Sequence, residues 1–206
     1  MAVMVAVLLC GMALAAQPGE AGPPPTDVSL VEERLAAVRR APTDPQARLE
    51  LGLAYAQAEE YEFAMAELVE AIQLNPENRD NLSARANFHL GHVLLALDRA
   101  SLAINAFREA LKLGWKEAGV YLAMGQALTS QGKFEEAILQ YREALRLSPG
   151  AFEAHAGLGL ALEATGRVDE AVTQYERYLE SVPATGDHGV DAIKGRLAKL
   201  KEGRKM

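Results

Sequence analysis

The feature that most constrains the fold of this chain is a residue pattern that recurs every 34 positions. Gly91, Gly125 and Gly159 are 34 residues apart. Each glycine is followed at constant distances by an alanine and an aromatic residue: Ala103, Ala137 and Ala171, then Phe107, Tyr141 and Tyr175. A fixed period of this length indicates stacked supersecondary units that share a continuous core, rather than one globular core.

Residues 118–151 show the content of one unit. Apolar and small residues recur at helical spacing in both halves: Tyr121, Met124, Gly125 and Leu128, then Phe134, Ala137, Ile138, Tyr141, Ala144 and Leu145. Because a glycine costs a helix about 1 kcal/mol relative to alanine, Gly125 predicts a neighbouring helix too close for a side chain. Gly132 closes the first helix, and Pro149 follows the second. The unit is therefore predicted to be two antiparallel helices joined by a short turn.

An earlier copy of the unit carries the corresponding residues: Leu51, Gly52, Tyr55, Ala64, Leu68, Ala71 and Pro76. Four copies in one register resemble the tetratricopeptide repeat family. The resemblance implies an all-α fold, a right-handed α-solenoid of antiparallel helix pairs, with repeats at residues 45–78, 84–117, 118–151 and 152–185. Gly52 and Gly91 are 39 residues apart, so five extra residues form either a longer loop or an extra helical turn at the first junction.

The segments on either side of the repeats are predicted to cap the solenoid. Residues 27–44 are interpreted as a half-repeat, because Ala37 and Pro42 stand where the second helix of a preceding copy would place its alanine and proline. Residues 187–203 are predicted to contain a final helix whose apolar stripe covers the last repeat: Val190, Ile193, Leu197 and Leu200.

The N-terminal region differs from the rest of the chain. Residues 1–16 are uncharged and mostly apolar and end in small residues, which is typical of an export signal, although the usual positive charge at the start is missing. Residues 17–26 form a Pro/Gly-rich linker. We expect an exported protein of the periplasm or cell envelope. The alternatives are an apolar helix of the mature fold, or a membrane anchor through an uncleaved N-terminus or one lipidated at Cys10.

No motif for catalysis or for a cofactor stands out. The sequence has no phosphate-binding loop, nucleophile elbow or cysteine pair, so we expect no catalytic residue, metal or cofactor. His89 and His92 support the alternative of a metal-binding or enzymatic protein, because both would lie on one face of a helix. A sequence pI of about 5.2 argues against nucleic acid as a partner.

In the family that this chain resembles, the first helices of successive repeats line a concave groove that holds a partner peptide or helix. The resemblance assigns twelve residues to this groove, apolar in the first three copies and acidic at the fourth: Gln46, Leu49, Leu53, Arg85, Phe88, His92, Leu122, Gln126, Thr129, Glu153, Leu160 and Glu163. Arg85 is the lone cation among them, which argues against a receptor for chaperone tails.

The function implied is a non-enzymatic scaffold or adaptor within a cell-envelope assembly complex. Beside a metal-binding or enzymatic protein, a second alternative to the scaffold is a structural protein whose repeats stack into homo-oligomers. Membrane contact would be confined to an uncleaved signal or to the C-terminal tail, where six Lys or Arg outnumber three Asp or Glu from residue 187 onward.

Overall fold

The chain folds into a row of antiparallel helix pairs. The structure, a computed structural model, describes residues 27–182 and 189–203. The helices are α1 (Asp27–Arg40), α2 (Pro45–Gln57), α3 (Tyr61–Leu74), α4 (Leu82–Ala96), α5 (Ala100–Lys112), α6 (Ala118–Ser130), α7 (Phe134–Leu147), α8 (Phe152–Ala164), α9 (Val168–Ser181) and α10 (Val190–Gly203). These two ranges contain no β-strand, as the all-α prediction requires. The predicted signal at residues 1–16 and the linker at 17–26 lie outside the described residues.

The helix pairs stack so that first and second helices form two layers. Each helix contacts the next along the chain, and α2, α4, α6 and α8 also contact one another in sequence. We call these four first helices the inner layer and α3, α5, α7 and α9 the outer layer. Consecutive antiparallel pairs of this kind build a solenoid in which each repeat packs only on its neighbours.

In the second, third and fourth repeats, the recurring glycine of the first helix is explained by an aromatic ring of the paired helix. A Cβ atom on Gly91 would lie 2.3 Å from the ring of Phe107, and one on Gly125 would lie 2.7 Å from the ring of Tyr141. Neither distance is compatible with a side chain. The prediction that a second helix passes too close to Gly125 is confirmed.

The turn inside each repeat uses a left-handed residue at the same place. Gly132 has a φ of 70° and Gly166 a φ of 76°, and the first two repeats place Glu59 and Asp98 there with φ values of 60° and 57°. The predicted closing role of Gly132 is confirmed. Because a non-glycine residue pays about 1–2 kcal/mol in this conformation, the first two turns are held by the packing of their helix pairs.

The five extra residues at the first junction form both a turn and additional helix. A 3-10 turn spans Arg79–Asn81, and α4 begins at Leu82, two residues before the predicted repeat bound. Asn78, with a φ of 51°, donates its side-chain amide to the carbonyl oxygen of Leu113 at 3.2 Å. Its side-chain oxygen accepts the backbone N–H of Ala84 at 2.9 Å. One asparagine therefore connects this junction to the end of α5.

The core is continuous from the first full repeat to α10. Ile193 and Leu197 of α10 are buried in the main cluster, with Val190 and Leu200 packed against it. Helix α1 instead contributes Val38 to a small separate cluster. Within residues 27–182 and 189–203, every helix is too short or too polar to cross a lipid bilayer.

Candidate functional site

The inner layer carries the twelve predicted groove residues, and the first repeat already shows a departure. Gln46 is exposed and donates its side-chain amide to Glu50 at 2.8 Å, and Leu53 is half-buried. Leu49 is 0% exposed and belongs to the main core. The assignment of Leu49 to a partner-binding surface is wrong, because α4 packs against α2 and the core closes over this side chain.

In the second repeat an aromatic cluster fills the inner surface. Phe88 is half-buried, and its ring centroid lies 4.7 Å from that of His92 and 6.2 Å from that of Phe107. A Cβ on Gly119 of α6 would lie 3.7 Å from the Phe88 ring. Phe88 therefore occupies the space between α4 and α6. Arg85 is half-buried beside this cluster on α4, and His92 is exposed at its edge.

Between the third and fourth repeats the inner surface opens into a cavity of about 490 Å³. Four predicted groove residues line it: Gln126, Thr129, Glu153 and Leu160. Leu122 is half-buried on α6 and is not among the lining residues. We call this space, with its lining residues on α6, α7, α8 and α9, the α6–α8 cavity.

Small residues at two places on α8 create the α6–α8 cavity. Ala156 and Gly157 stand 68 residues after Phe88 and His89, that is, at the same places two repeats later. A Cβ on Gly157 would lie 2.5 Å from the ring of Tyr141, so the glycine backbone rests directly on that ring. Tyr141 is 2% exposed and forms the floor. The cavity is thus preformed by packing.

The polar groups around the cavity differ in their partners. The Thr129 hydroxyl donates to the carbonyl of Gly125 at 2.9 Å and lies 3.2 Å from the Tyr141 hydroxyl. Gln126 and Glu153 are exposed, and their side chains make no hydrogen bond or ion pair in the part of the chain that the structure describes. Their amide and carboxylate are therefore available to a ligand at the cavity rim.

Glu163, the last predicted groove residue, has its carboxylate paired with side chains at the end of the solenoid. The Tyr175 hydroxyl donates to its carboxylate at 2.6 Å, and Arg196 of α10 donates to both carboxylate oxygens at 3.1 Å. Burial and this hydrogen bond to Glu163 raise the pKa of Tyr175. Glu163 is half-buried and is held by the capping helix, rather than standing free on the groove.

The sequence reasoning missed most of the apolar lining of the α6–α8 cavity. Ser130, Tyr141, Phe152, Ala156, Gly157 and Tyr178 also line it. The available signal was the pair Ala156–Gly157, which is smaller than the residues at the same places in the other copies, Leu49–Glu50, Phe88–His89 and Leu122–Ala123. The bulky Tyr178, in place of an alanine, was a second signal, and its ring lies 6.2 Å from that of Phe152.

His89 and His92 do not form part of a larger group of metal ligands. Within residues 27–182 and 189–203, no three or more His, Cys, Asp or Glu side chains are arranged to hold a metal ion. Burial lowers the pKa of His89 to about 4, with smaller contributions from His92 and Arg85. Partial desolvation of the His92 ring against the rings of Phe88 and Phe107 also lowers the pKa of this residue. Their environment is that of packed aromatic neighbours, with both rings 4.7–5.2 Å from that of Phe88.

The depressed pKa of His89 predicts a loss of stability in mild acid. Its folded-state pKa of about 4 lies below the unfolded value of 6.5, so the unfolded chain binds the extra proton first. The contribution of His89 to the free energy of unfolding is fully present above pH 6.5 and is lost as the pH drops towards 4. Because the ring is only partly buried, we expect about 1 kcal/mol between pH 7.5 and 5 from this group.

Urea unfolding at the two pH values measures this loss for the parent protein and for His89→Gln. Carboxylates common to both proteins contribute equally, so their effect cancels in the comparison. The variant should lose less stability on acidification. Equal losses in both proteins would show that His89 is not the responsible group.

Comparisons with known proteins agree with this architecture. Two models of the tetratricopeptide repeat match the chain, at residues 26–115 and 122–185. No curated protein sequence matches it closely. Similar solved structures include MamA, at 27% identity over 75% of this chain and 88% of that chain, with a TM-score of 0.69.

Two further solved structures share the fold at lower identity. One is YrrB, described as a tetratricopeptide repeat protein with an unusual peptide-binding site, at 22% identity over 84% of this chain and 86% of that chain, with a TM-score of 0.70. Another is a MamA fragment from Desulfovibrio magneticus, at 21% identity over 73% of this chain and 82% of that chain, with a TM-score of 0.66. The matches to these solved structures confirm the predicted right-handed α-solenoid of antiparallel helix pairs, and the chain belongs to the tetratricopeptide repeat family.

Proposed function

We propose that this protein is a non-enzymatic scaffold that binds a segment of a partner protein along its inner layer. The observation that carries the proposal is the preformed α6–α8 cavity, to which two successive repeats contribute predicted groove residues. YrrB, a structure of the same fold, is described as having a peptide-binding site. The proposal for this chain rests on its own cavity.

The α6–α8 cavity has the composition of a binding site. Its walls are largely apolar and aromatic, with the free amide of Gln126 and the free carboxylate of Glu153 at the rim. Ligand sites combine an apolar concave surface with a few polar groups that fix orientation. Since Gly157 and Tyr141 are already packed, binding does not require the floor to be ordered, which reduces the entropic cost.

The outer layer carries a few exposed apolar side chains. Phe63, Leu102 and Leu139 are 59%, 52% and 59% exposed on three different helices. Single exposed apolar side chains are common on soluble proteins and need no partner. We therefore assign the partner to the inner layer, and the outer layer stays accessible to a second protein of the same complex.

The cellular setting of the proposal comes from residues 1–16, whose apolar run and small-residue ending are typical of an export signal. The scaffold would act in the periplasm or cell envelope, as an adaptor in an assembly complex. Intact-mass measurement of the protein recovered from envelope fractions tests export: loss of residues up to Ala15 or Ala16 is the expected result.

A crosslinked pull-down of the recovered protein tests the assignment of the partner to the inner layer. We expect Leu122→Glu to lose the partner captured by the parent protein, because it places a charge on the half-buried inner surface of α6. Leu139→Glu is the matched control, since it makes the same substitution at an exposed site on α7.

Far-UV circular dichroism should show that both variants remain helical. If only the Leu139→Glu variant loses the partner, the interface lies on the outer layer. Capture of the same partners by all three proteins would contradict the proposal. A size that rises with concentration in the parent protein and falls for Leu122→Glu would identify self-assembly instead.

A further inference from the structure

We propose that the inner layer selects an extended partner segment with an acidic side chain at one end and, about six residues away, a basic side chain next to an apolar anchor. This inference deepens the proposed function and rests on it. The acidic end would meet Arg85, the basic end would meet Glu153, and the anchor would enter the α6–α8 cavity.

The repeat symmetry places opposite charges at equivalent points of the groove. Arg85, Gly119 and Glu153 are each 34 residues apart, so they occupy the same place on α4, α6 and α8. The central position has no side chain. A ligand that crosses the three helices at this level therefore meets a cation, then a glycine, then a carboxylate.

Both charged groups are free to pair with a ligand. Arg85 is half-buried and Glu153 is exposed, and neither makes a hydrogen bond or ion pair in the described ranges 27–182 and 189–203. By contrast, Arg48 pairs with Glu67 at 2.7 Å, and Arg142 pairs with Glu170 at 3.0 Å. An arginine guanidinium without a partner favours a carboxylate ligand, which it can bind in a bidentate geometry.

The distance between the two charges sets the length of the segment. Packed helix axes lie about 8–10 Å apart, so α4 and α8, separated by α6, are about 20 Å apart. An extended chain covers about 3.3 Å per residue and spans this distance in about six residues. A helix rises only about 1.5 Å per residue and would need more than twice as many.

The apolar anchor is placed next to the basic residue of the partner segment, because the groove is filled between α4 and α6 and open between α6 and α8. Phe88 fills the space between α4 and α6, whereas Ala156 and Gly157 leave the space between α6 and α8 empty. A cavity of about 490 Å³ lined by Phe152, Leu160 and Tyr141 can admit a leucine, methionine or phenylalanine side chain. The anchor therefore lies beside the residue that pairs with Glu153.

Selection from a phage-displayed library of random dodecapeptides tests this chemistry on the parent protein and on two charge-reversal variants. The parent protein should enrich peptides with an acidic and a basic residue in one fixed order about six positions apart. Glu153→Lys should replace the enriched basic residue with an acidic one and leave the other end unchanged. Arg85→Glu should replace the enriched acidic residue with a basic one and leave the basic end of the peptides unchanged.

Two outcomes would overturn the inference, and they differ in what they say about the proposed function. If all three proteins enrich peptides with the same charges, and Leu122→Glu abolishes their binding, the inner layer binds peptides but the charge rule is wrong. If the parent protein enriches no peptide and captures no partner in the envelope pull-down, both proposals fail.

The anchor is tested separately by filling the cavity. Ala156→Phe introduces at this place of α8 the side chain that α4 carries as Phe88, and it should weaken binding of a selected peptide about tenfold or more. Ala66→Phe, on an exposed face of α3, is the matched control and should leave the affinity unchanged. Equal affinity for both variants would show that no side chain enters the cavity.

Discussion

Replacement of Tyr141 by alanine is expected to lower the free energy of unfolding by about 3–5 kcal/mol, the range for truncating a buried aromatic side chain. The Tyr141 ring is 2% exposed and lies between two glycines of successive repeats, Gly125 and Gly157. Its removal leaves space beside both glycine backbones, which cannot fill it. Urea unfolding followed by far-UV circular dichroism measures the loss.

Tyr141→Phe is the matched control for this substitution. It keeps the ring and removes only the hydroxyl that lies 3.2 Å from Thr129, so we expect a cost of about 1 kcal/mol. If Tyr141→Ala costs no more than Tyr141→Phe, the ring does not join the third and fourth repeats. The alanine variant should also lose peptide binding, because the ring is the floor of the α6–α8 cavity.

The same substitution, glycine to alanine, is expected to have opposite effects at two sites on the inner layer. Gly91→Ala should destabilise the protein by about 1–3 kcal/mol, because the new Cβ would lie 2.3 Å from the Phe107 ring and one of the two must move. Gly119→Ala should stabilise it by about 0.5 kcal/mol, because its Cβ would lie at an ordinary contact distance of 3.7 Å from Phe88.

Thermal unfolding of the two variants beside the parent protein tests this pair. Both substitutions raise intrinsic helix propensity, so propensity alone would make both proteins more stable. An increase in stability for Gly91→Ala would show that the Phe107 ring can move aside at little cost, and that the recurring glycine is not required by packing.

Much of the fold follows from the sequence because several repeats make the same structural prediction independently. Gly125 in one copy predicts a close helix, and the glycines 34 residues before and after it repeat the prediction. At the first junction the sequence predicts either a loop or a helical turn, because the conformation there depends on a hydrogen bond from Asn78 to Leu113, 35 positions along the chain. Local propensity contains no information about that contact.

The candidate site was less predictable because groove position and burial are separate properties. Leu49, Phe88, Leu122 and Ala156 stand at one place in the four repeats, yet the first is fully buried and the last lines a cavity. The size of neighbouring side chains decides between these outcomes. Glu163 likewise looked free in the sequence, but Arg196, 33 residues later, pairs with it through a helix whose position only the tertiary structure defines.

The hydrogen bonds of Asn78 also determine which parts of this solenoid are interchangeable. The junction at residues 117–118 carries no inserted residues, so the third repeat follows the second at the constant 34-residue register. The segment at residues 75–84 is different, because its asparagine is bonded to Leu113 at the far end of the next helix pair. A recombinant array built from this chain should therefore keep the first and second repeats together, because separating them would remove the carbonyl of Leu113 from the Asn78 side chain.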